Sequence, residues 1–283
     1  MKILLLGATG FIGANMSDQL TLLYDVYPTS RKKSLRSKYL YFDLNDQSSW
    51  EPVLKIAPDI IINSIGYGVV KHEKDLDKMY DTNHRNVVKF YNFLDNKLEN
   101  EFFWIQIGTA FEYDLESRNI SENSNTFPQT NYGKSKLNAS TFFLDNVDYK
   151  KFLILRPFGM FGKYEHHSKI IPSLINSQIK KEILDLTDGF QKRDYIYVND
   201  FVNFIKIILK KELSLLPNII NVGSGELNSL RQIAEIIKNN IDQFDSIFWK
   251  WGNLANRNNE SNVFFNDSKL ASSLGFTITN LDK

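Results

Sequence analysis

A chain of 283 residues is long enough for one large domain, or for one domain with a smaller appendage, and it can bury a core without staples. It contains no cysteine, which excludes disulfides, cysteine-ligated metals and thiol nucleophiles; its net charge of +1 gives no electrostatic case for a nucleic-acid partner. With 42% hydrophobic and 24% charged residues and no stretch approaching a membrane span, the composition is that of a soluble globular protein with no membrane partner.

The opening, Met1-Lys2 and then four apolar residues before Gly7, is too short for a signal peptide. A cytoplasmic protein is expected. Residues 3–6 suit a strand buried on both faces. Helical spacing follows over 11–22, then strands over 24–29, 39–44 and 59–63. A helix is expected over 81–98, a strand over 102–107, a helix over 132–144 and a strand over 152–156. Strands alternating with helices imply a parallel, doubly wound α/β sheet. Beyond Arg156 the pattern loosens. Helices are expected over 170–178, 200–210 and 230–241, a short strand over 195–198, and a strand over 219–222 that rejoins the main sheet. Residues 1–156 then form a Rossmann-type dinucleotide-binding domain, rejoined by about 195–225. Residues 157–283 are mainly a smaller mixed lobe for the substrate.

Gly7-Ala8-Thr9-Gly10-Phe11-Ile12-Gly13 falls between the first strand and the first helix. Glycines there let the backbone turn tightly and approach a pyrophosphate, which rests on the helix N-terminus. The second strand ends in Thr29-Ser30-Arg31-Lys32-Lys33, where an NAD site usually has a carboxylate for the ribose 2′-hydroxyl. Ser30, Arg31 and Lys32 suit a 2′-phosphate instead, so the charge argument favours NADP(H) over NAD(H).

Tyr132-Gly133-Lys134-Ser135-Lys136 places Tyr132 and Lys136 four residues apart on one helix face. An ammonium beside a phenol is expected to lower a pKa that is ordinarily ~10 and make Tyr132 a usable proton donor or acceptor. Thr109 lies at the carboxyl end of a central strand, where such folds bind ligands.

This spacing resembles the extended short-chain dehydrogenase/reductases, the NAD-dependent epimerase/dehydratase family. The similarity extends through Gly108-Thr109-Ala110-Phe111-Glu112-Tyr113, through 155–162, where Gly159 stands in place of the usual asparagine, through Arg193-Asp194-Tyr195, and through Asn221-Val222-Gly223. It is nearest to bacterial nucleotide-sugar 4-ketoreductases. The resemblance implies a Thr109, Tyr132, Lys136 catalytic set. It implies cofactor contacts at Gly7, Thr9, Gly10, Phe11, Ile12, Gly13, Asp43, Leu44, Ser64, Ile65, Gly66, Asn83, Pro157 and Phe158 besides the strand-end residues. It implies substrate contacts at Tyr67, Thr109, Gly159, Arg193 and Arg257, and no metal. The partner implied is a nucleotide-linked 4-keto-6-deoxyhexose of surface-polysaccharide biosynthesis. A homodimer through a four-helix bundle is implied too; Phe90, Phe93, Phe142 and Phe143 would serve either that bundle or the monomer's own core.

The family's 4,6-dehydratases carry an Asp-Glu pair directly after the catalytic Thr, where this chain has Ala110 and Phe111; its dual epimerase-reductases use a cysteine, absent here. A net 4-ketoreductase or a 4-epimerase remains, and the basic strand-end loop favours the reductase. A non-catalytic dinucleotide-binding regulator is the alternative from another class. His166-His167 is expected on a solvated loop. Trp249 and Trp251 are expected to be packing residues.

Overall fold

The computed structural model describes residues 1–33, 38–70, 72–255 and 263–279. The chain begins with β1 (Lys2–Leu6), α1 (Phe11–Leu20), β2 (Asp25–Ser30), β3 (Leu40–Tyr41), α2 (Glu51–Ile56) and β4 (Ile60–Asn63). It continues with α3 (Leu76–Tyr80), a π-helical turn (Asp81–Arg85), α4 (Asn86–Lys97), β5 (Phe103–Ile107), β6 (Asn119–Ile120), α5 (Asn131–Asn146) and β7 (Phe152–Pro157). The later part comprises β8 (Gly159–Phe161), α6 (Ile170–Lys180), β9 (Leu184–Asp185), β10 (Lys192–Arg193), β11 (Tyr195–Tyr197), α7 (Val198–Ile208) and β12 (Ile219–Val222). It closes with β13 (Asn228–Ser229), α8 (Leu230–Asn239), β14 (Trp249–Lys250), β15 (Val263–Asn266) and α9 (Leu270–Ser273).

Seven strands make one parallel sheet in the order β12-β7-β5-β4-β1-β2-β3. Alternation along the strands assigns side chains to its two faces. Ile3 and Leu5 of β1, Ile60 and Ile62 of β4, and Leu153 and Leu155 of β7 pack with Met16 of α1 and Phe201, Phe204 and Ile205 of α7. Leu4, Leu6, Ile61 and Trp104 point the other way, against Val53 of α2, Phe90 and Leu94 of α4, and Phe143 of α5. Burying each large aliphatic side chain contributes about 1.5–3 kcal/mol, so the two layers of helices are held chiefly by this sheet. The order reverses direction between β1 and β4, and such a switch point opens a crevice at the carboxyl ends of the strands.

The smaller sheet is four-stranded, in the order β13-β10-β15-β6. It takes β6 from the first half of the chain, where Phe265 pairs with Asn119. Two parallel pairs, β8 with β11 and β9 with β14, complete the lobe. Asp194 fastens it to the main sheet. Its carboxylate accepts backbone N–H groups of Ser224, Gly225 and Asn266 at 2.7, 2.9 and 3.0 Å. Asp200 likewise takes the N–H of Thr279 at 2.7 Å.

Three expectations change. Only Leu40–Tyr41 of 39–44 is strand, because β3 is an edge strand and leaves β2 after Tyr41; Phe42 and Leu44 then turn into the core. The helix expected from Asp81 begins at Leu76 and passes through the π turn. The short helix Glu51–Ile56, with a proline in its first turn, has no counterpart in the expected elements.

Candidate active site

The turn after β1 depends on two glycines, Gly7 and Gly13, that leave no room for a side chain. Gly7 has φ +75°, and a Cβ on Gly13 would lie 2.1 Å from the Gly7 carbonyl oxygen. The Gly10 N–H donates to that oxygen at 2.9 Å and closes the turn. Gly10 is the N-cap of α1, and no side chain caps the helix. The amides of Phe11, Ile12 and Gly13 therefore lead a helix end that is open to an anion, the electrostatics a pyrophosphate needs. Thr9 and Gly10 are exposed and Phe11 and Ile12 half-buried. Thr29, which the sequence motifs passed over, locks this turn to β2. Its hydroxyl accepts the Gly7 N–H at 3.2 Å and donates to Leu5 O at 3.1 Å.

At the end of β2, Ser30 is buried and its hydroxyl accepts the Lys32 N–H at 3.0 Å. Arg31 and Lys32 stand exposed on the turn this makes. Asp43 caps its own turn: the Asn45 N–H donates to its carboxylate at 3.0 Å. The Leu44 side chain lies in the core beside Trp50. After β4, the Ser64 hydroxyl donates to Leu6 O at 2.6 Å, and the Ile65 N–H donates to the Asn63 side chain at 3.1 Å. Asn63 in turn donates to Gln106 at 3.0 Å, so a buried amide pair sets the loop that carries Gly66 and Tyr67.

Asn83 sits in the π turn and is buried. Such turns displace one residue from the helical register and recur at functional sites. Here the displaced side chain spans two elements. Its amide donates to Tyr67 O and to the Ser135 hydroxyl, both at 2.8 Å, and its oxygen accepts the Tyr67 N–H at 2.8 Å. Asn83 thus ties the loop carrying Tyr67 to the helix carrying Tyr132. The Lys78 ammonium lies 4.9 Å from the Tyr67 ring.

The Thr109 hydroxyl reaches the Tyr132 phenol, and Lys136 follows one turn on along α5. Thr109 follows β5 as the N-cap of a short 3-10 turn, Ala110–Glu112, and is 7% exposed. α5 is capped by the Thr130 hydroxyl, which accepts the Gly133 N–H at 3.0 Å. Gly133 brings this helix against the Thr109 turn, since a Cβ there would lie 2.2 Å from the Phe111 carbonyl oxygen. Lys136, one helical turn on, is 3% exposed.

The electrostatics differ from the expectation in one direction. The Tyr132 phenol is pushed up, not down: burial leads, the Glu112 carboxylate adds to it, and the Thr109 hydroxyl works weakly the other way. Lys136 is pushed down to about 8 by burial, with Glu112 partly opposing. Near neutral pH, Tyr132 is therefore a phenol with a proton to give, and Lys136 is still mostly ammonium.

In the sequence, nothing distinguishes Glu112 beyond its place in the Gly108-Thr109-Ala110-Phe111-Glu112-Tyr113 stretch. Glu112 is 0% exposed and paired with Arg156, 1% exposed, at 2.9 Å. Its other oxygen accepts the Thr109 N–H at 2.9 Å.

Of the positions expected to meet a substrate, Gly159 donates its N–H to Asp194 O at 3.0 Å, and a Cβ there would lie 2.7 Å from that oxygen. The backbone pairing of β8 with β11 thus leaves no space for the asparagine common at this place. Pro157 and Phe158 are buried, Phe158 against Phe264 at 6.1 Å. The Arg193 guanidinium lies over Phe264 at 4.8 Å. Arg257 lies outside the described residues. His166 is partly buried beside His167 and His72, with ring centroids 4.2 and 5.8 Å away. Among the described residues no group of side chains could hold a metal ion, and no helix is long and apolar enough to cross a membrane. Trp249 is buried and donates to the Ser177 hydroxyl at 2.9 Å, a packing residue as expected.

The chain is 25% identical over 222 residues to the CDP-abequose synthase of Yersinia pseudotuberculosis, covering 75% of this chain and 74% of that protein. It is 29% identical over 173 residues to the dTDP-4-dehydro-6-deoxyglucose reductase of Escherichia coli, covering 59% of this chain and only 54% of that one. Its fold is shared with the UDP-glucuronic acid 4-epimerase of Bacillus cereus, solved with UDP-glucuronic acid and NAD. That match has a TM-score of 0.83 at 21% identity and covers 100% of this chain and 96% of the other. The model of the NAD-dependent epimerase/dehydratase family matches residues 3–223, so the turn, the central strands and the Thr109, Tyr132 and Lys136 positions all lie inside it, and the chain belongs to that family.

Proposed function

We propose that the protein is an NADPH-dependent reductase of the C4 keto group of a nucleotide-linked 4-keto-6-deoxyhexose, a step in making deoxysugars for surface polysaccharide. The arrangement that supports this reading is Tyr132 on α5, with the Thr109 hydroxyl within reach of its phenol and Lys136 one helical turn on, in a chain whose first helix has an uncapped N-terminus. A reduced nicotinamide, when bound, supplies the hydride. The chain supplies the rest. Tyr132 delivers its proton to the oxygen that becomes a hydroxyl; Thr109 donates a hydrogen bond to the same oxygen as charge develops on it. Lys136 holds the ribose and keeps positive charge near the phenol. An elimination needs its own acid and base. Ala110 and Phe111 provide neither, and the carboxylate of this turn, Glu112, is committed to Arg156 and the Thr109 N–H.

Arg193 and Arg257 are assigned to the substrate diphosphate, and Tyr67 and Gly159 to the sugar. The remaining cofactor positions, including Ser64, Ile65, Gly66, Pro157 and Phe158, would hold the rest of the dinucleotide. Asn83 serves there through the Tyr67 loop. A homodimer through α4 and α5 completes it. Phe90 and Phe143 are buried in the monomer's core and Phe93 and Phe142 pack against it, which leaves Asn92, Asp95, Asn138 and Asp145 on the outer face.

The test is a panel of CDP-, dTDP-, GDP- and UDP-linked 4-keto-6-deoxyhexoses with NADPH, followed by the loss of reduced-nicotinamide absorbance. Oxidation with one nucleotide series is expected. No oxidation with any series, together with sugar isomerisation without added cofactor, would replace the reductase with a 4-epimerase.

Cofactor choice has a separate test. Arg31→Ala with Lys32→Ala removes two cations from the turn after Ser30. Charge-assisted contacts contribute about 1.5 kcal/mol or more each, so the KM for NADPH is expected to rise by roughly 100-fold while that for NADH stays unchanged. Equal changes for both would show that neither residue meets a 2′-phosphate.

A further inference from the structure

The pairing of Glu112 with Arg156 is poorly explained by stability. Two charges with 0% and 1% exposure must be taken out of water, and an apolar pair of similar volume is often at least as stable. Its surroundings point elsewhere. Oε2 takes Arg156 Nε at 2.9 Å, and Oε1 takes the Thr109 N–H at 2.9 Å. Thr109 is thereby held extended, at φ −164° and ψ 150°, with its hydroxyl oxygen accepting the Phe111 N–H at 3.3 Å. The space is shaped for the carboxylate: a Cβ on Gly108 would lie 2.5 Å from Oε1. The Arg156 guanidinium in turn lies 4.5 Å from the Tyr113 ring. The turn that carries Glu112 packs on α5, where a Cβ on Gly133 would lie 2.2 Å from the Phe111 carbonyl oxygen, and from there its negative charge raises the Tyr132 phenol and opposes the burial that lowers Lys136.

We propose that Glu112 is a positioning residue of the site: anchored by Arg156, its carboxylate fixes the backbone of Thr109 and sets a buried negative charge in the turn packed against the helix that carries Tyr132 and Lys136. As a statement about turnover this rests on the reductase reading; as a statement about titration it does not. The charged and titratable groups around the pair are Arg156 on β7, Tyr113 after the Thr109 turn, Tyr132 and Lys136 on α5, Glu122 near Tyr113, and Glu73, whose charge also reaches Tyr132.

The sign follows from the charge. Removing a nearby carboxylate makes both a lysine and a tyrosine easier to deprotonate. Lys136 can be followed directly by NMR of lysine labelled with ¹³C at Cε, its signal assigned with Lys136→Met, in protein without added cofactor. Two variants are compared with the parent. Glu112→Gln keeps an acceptor for the Thr109 N–H but strands Arg156. Glu112→Gln with Arg156→Met removes both charges. Lys136 is expected to titrate at lower pH in both, and the alkaline limb of the pH–rate profile is expected to move the same way. The double variant is expected to regain thermal stability lost by the single one without regaining the parent's titration.

A folded double variant in which Lys136 titrates as in the parent overturns the proposal. Failure of both variants to fold does so too, by assigning the pair to stability alone. Absence of any NADPH oxidation in the parent counts against the reductase reading only, and the titration still decides the role of Glu112.

Discussion

Replacing Tyr132 by Phe is expected to lower turnover by roughly 10²- to 10⁴-fold, the range contributed by a positioned general acid. The ring and the helix stay as they are. Gly133 still meets the Phe111 carbonyl, the Thr130 cap still holds the first turn of α5, and Lys136 keeps its place one turn on. What goes is the one proton beside Thr109. Dinucleotide affinity, measured by titration calorimetry, and the unfolding midpoint are therefore expected to match the parent. Burial and Glu112 hold the Tyr132 phenol above its ordinary value, so the acid stays loaded through the neutral range. That resting state suits reduction, in which the phenol gives a proton first; the reverse oxidation needs it as a base. The alkaline fall in activity then belongs to Lys136, whose ammonium is lost as pH rises through about 8. Turnover within a few-fold of the parent in the Phe variant would remove Tyr132 from the mechanism. A fall in turnover with an equal loss of dinucleotide binding would make its role structural.

Much of this site could be read from the sequence because its parts are local. The glycines of 7–13 fall between an apolar strand and a helix, and Tyr132 and Lys136 are one helical turn apart, so each can be recognised without knowing what the rest of the chain does. The sheet was legible for a similar reason: 3–6, 60–62 and 152–155 are continuous apolar runs, as strands covered on both faces must be. Glu112 was not legible. A glutamate in a turn normally faces water, and this one is buried only because Arg156 meets it across the sheet. That meeting depends on the register of β5 on β7, where Ile107 pairs with Leu155, 48 residues later. Asn83 is expected among the cofactor contacts, but its bonds to Tyr67 and Ser135 were not legible, because the π turn that aims it at them leaves no periodic mark. The lobe was least legible. Its strands β6, β9, β10, β13 and β14 are two residues long, too short to show alternation, and are held by distant anchors such as Asp194.

Gly13→Ala is expected to abolish useful dinucleotide binding, although it adds one methyl group. The new Cβ would lie 2.1 Å from the Gly7 carbonyl oxygen and 2.8 Å from the Ser64 hydroxyl oxygen. Neither can retreat easily. Gly7 O accepts the Gly10 N–H that closes the turn, Gly7 already has φ +75° with Ile65 close behind it, and the Ser64 hydroxyl is bonded to Leu6 O. The strain is relieved only by moving α1 away from β1, which carries the amides of residues 11–13 with it. A displacement of about 1 Å in groups that must meet a ligand costs on the order of a hundredfold, and overpacking costs about 1–3 kcal/mol of stability as well. Gly10→Ala is the control. Its φ of −83° suits any residue, and its Cβ would lie 3.4 Å from Gly7 O, an ordinary contact. Calorimetric titration with NADP⁺ and NAD⁺ should thus separate the two alanines, Gly13→Ala losing both dinucleotides and Gly10→Ala retaining the fold and most of the affinity. Parent-like affinity in Gly13→Ala would mean that the pyrophosphate does not rest on α1, and the cofactor assignments of residues 7–13 would fall with it.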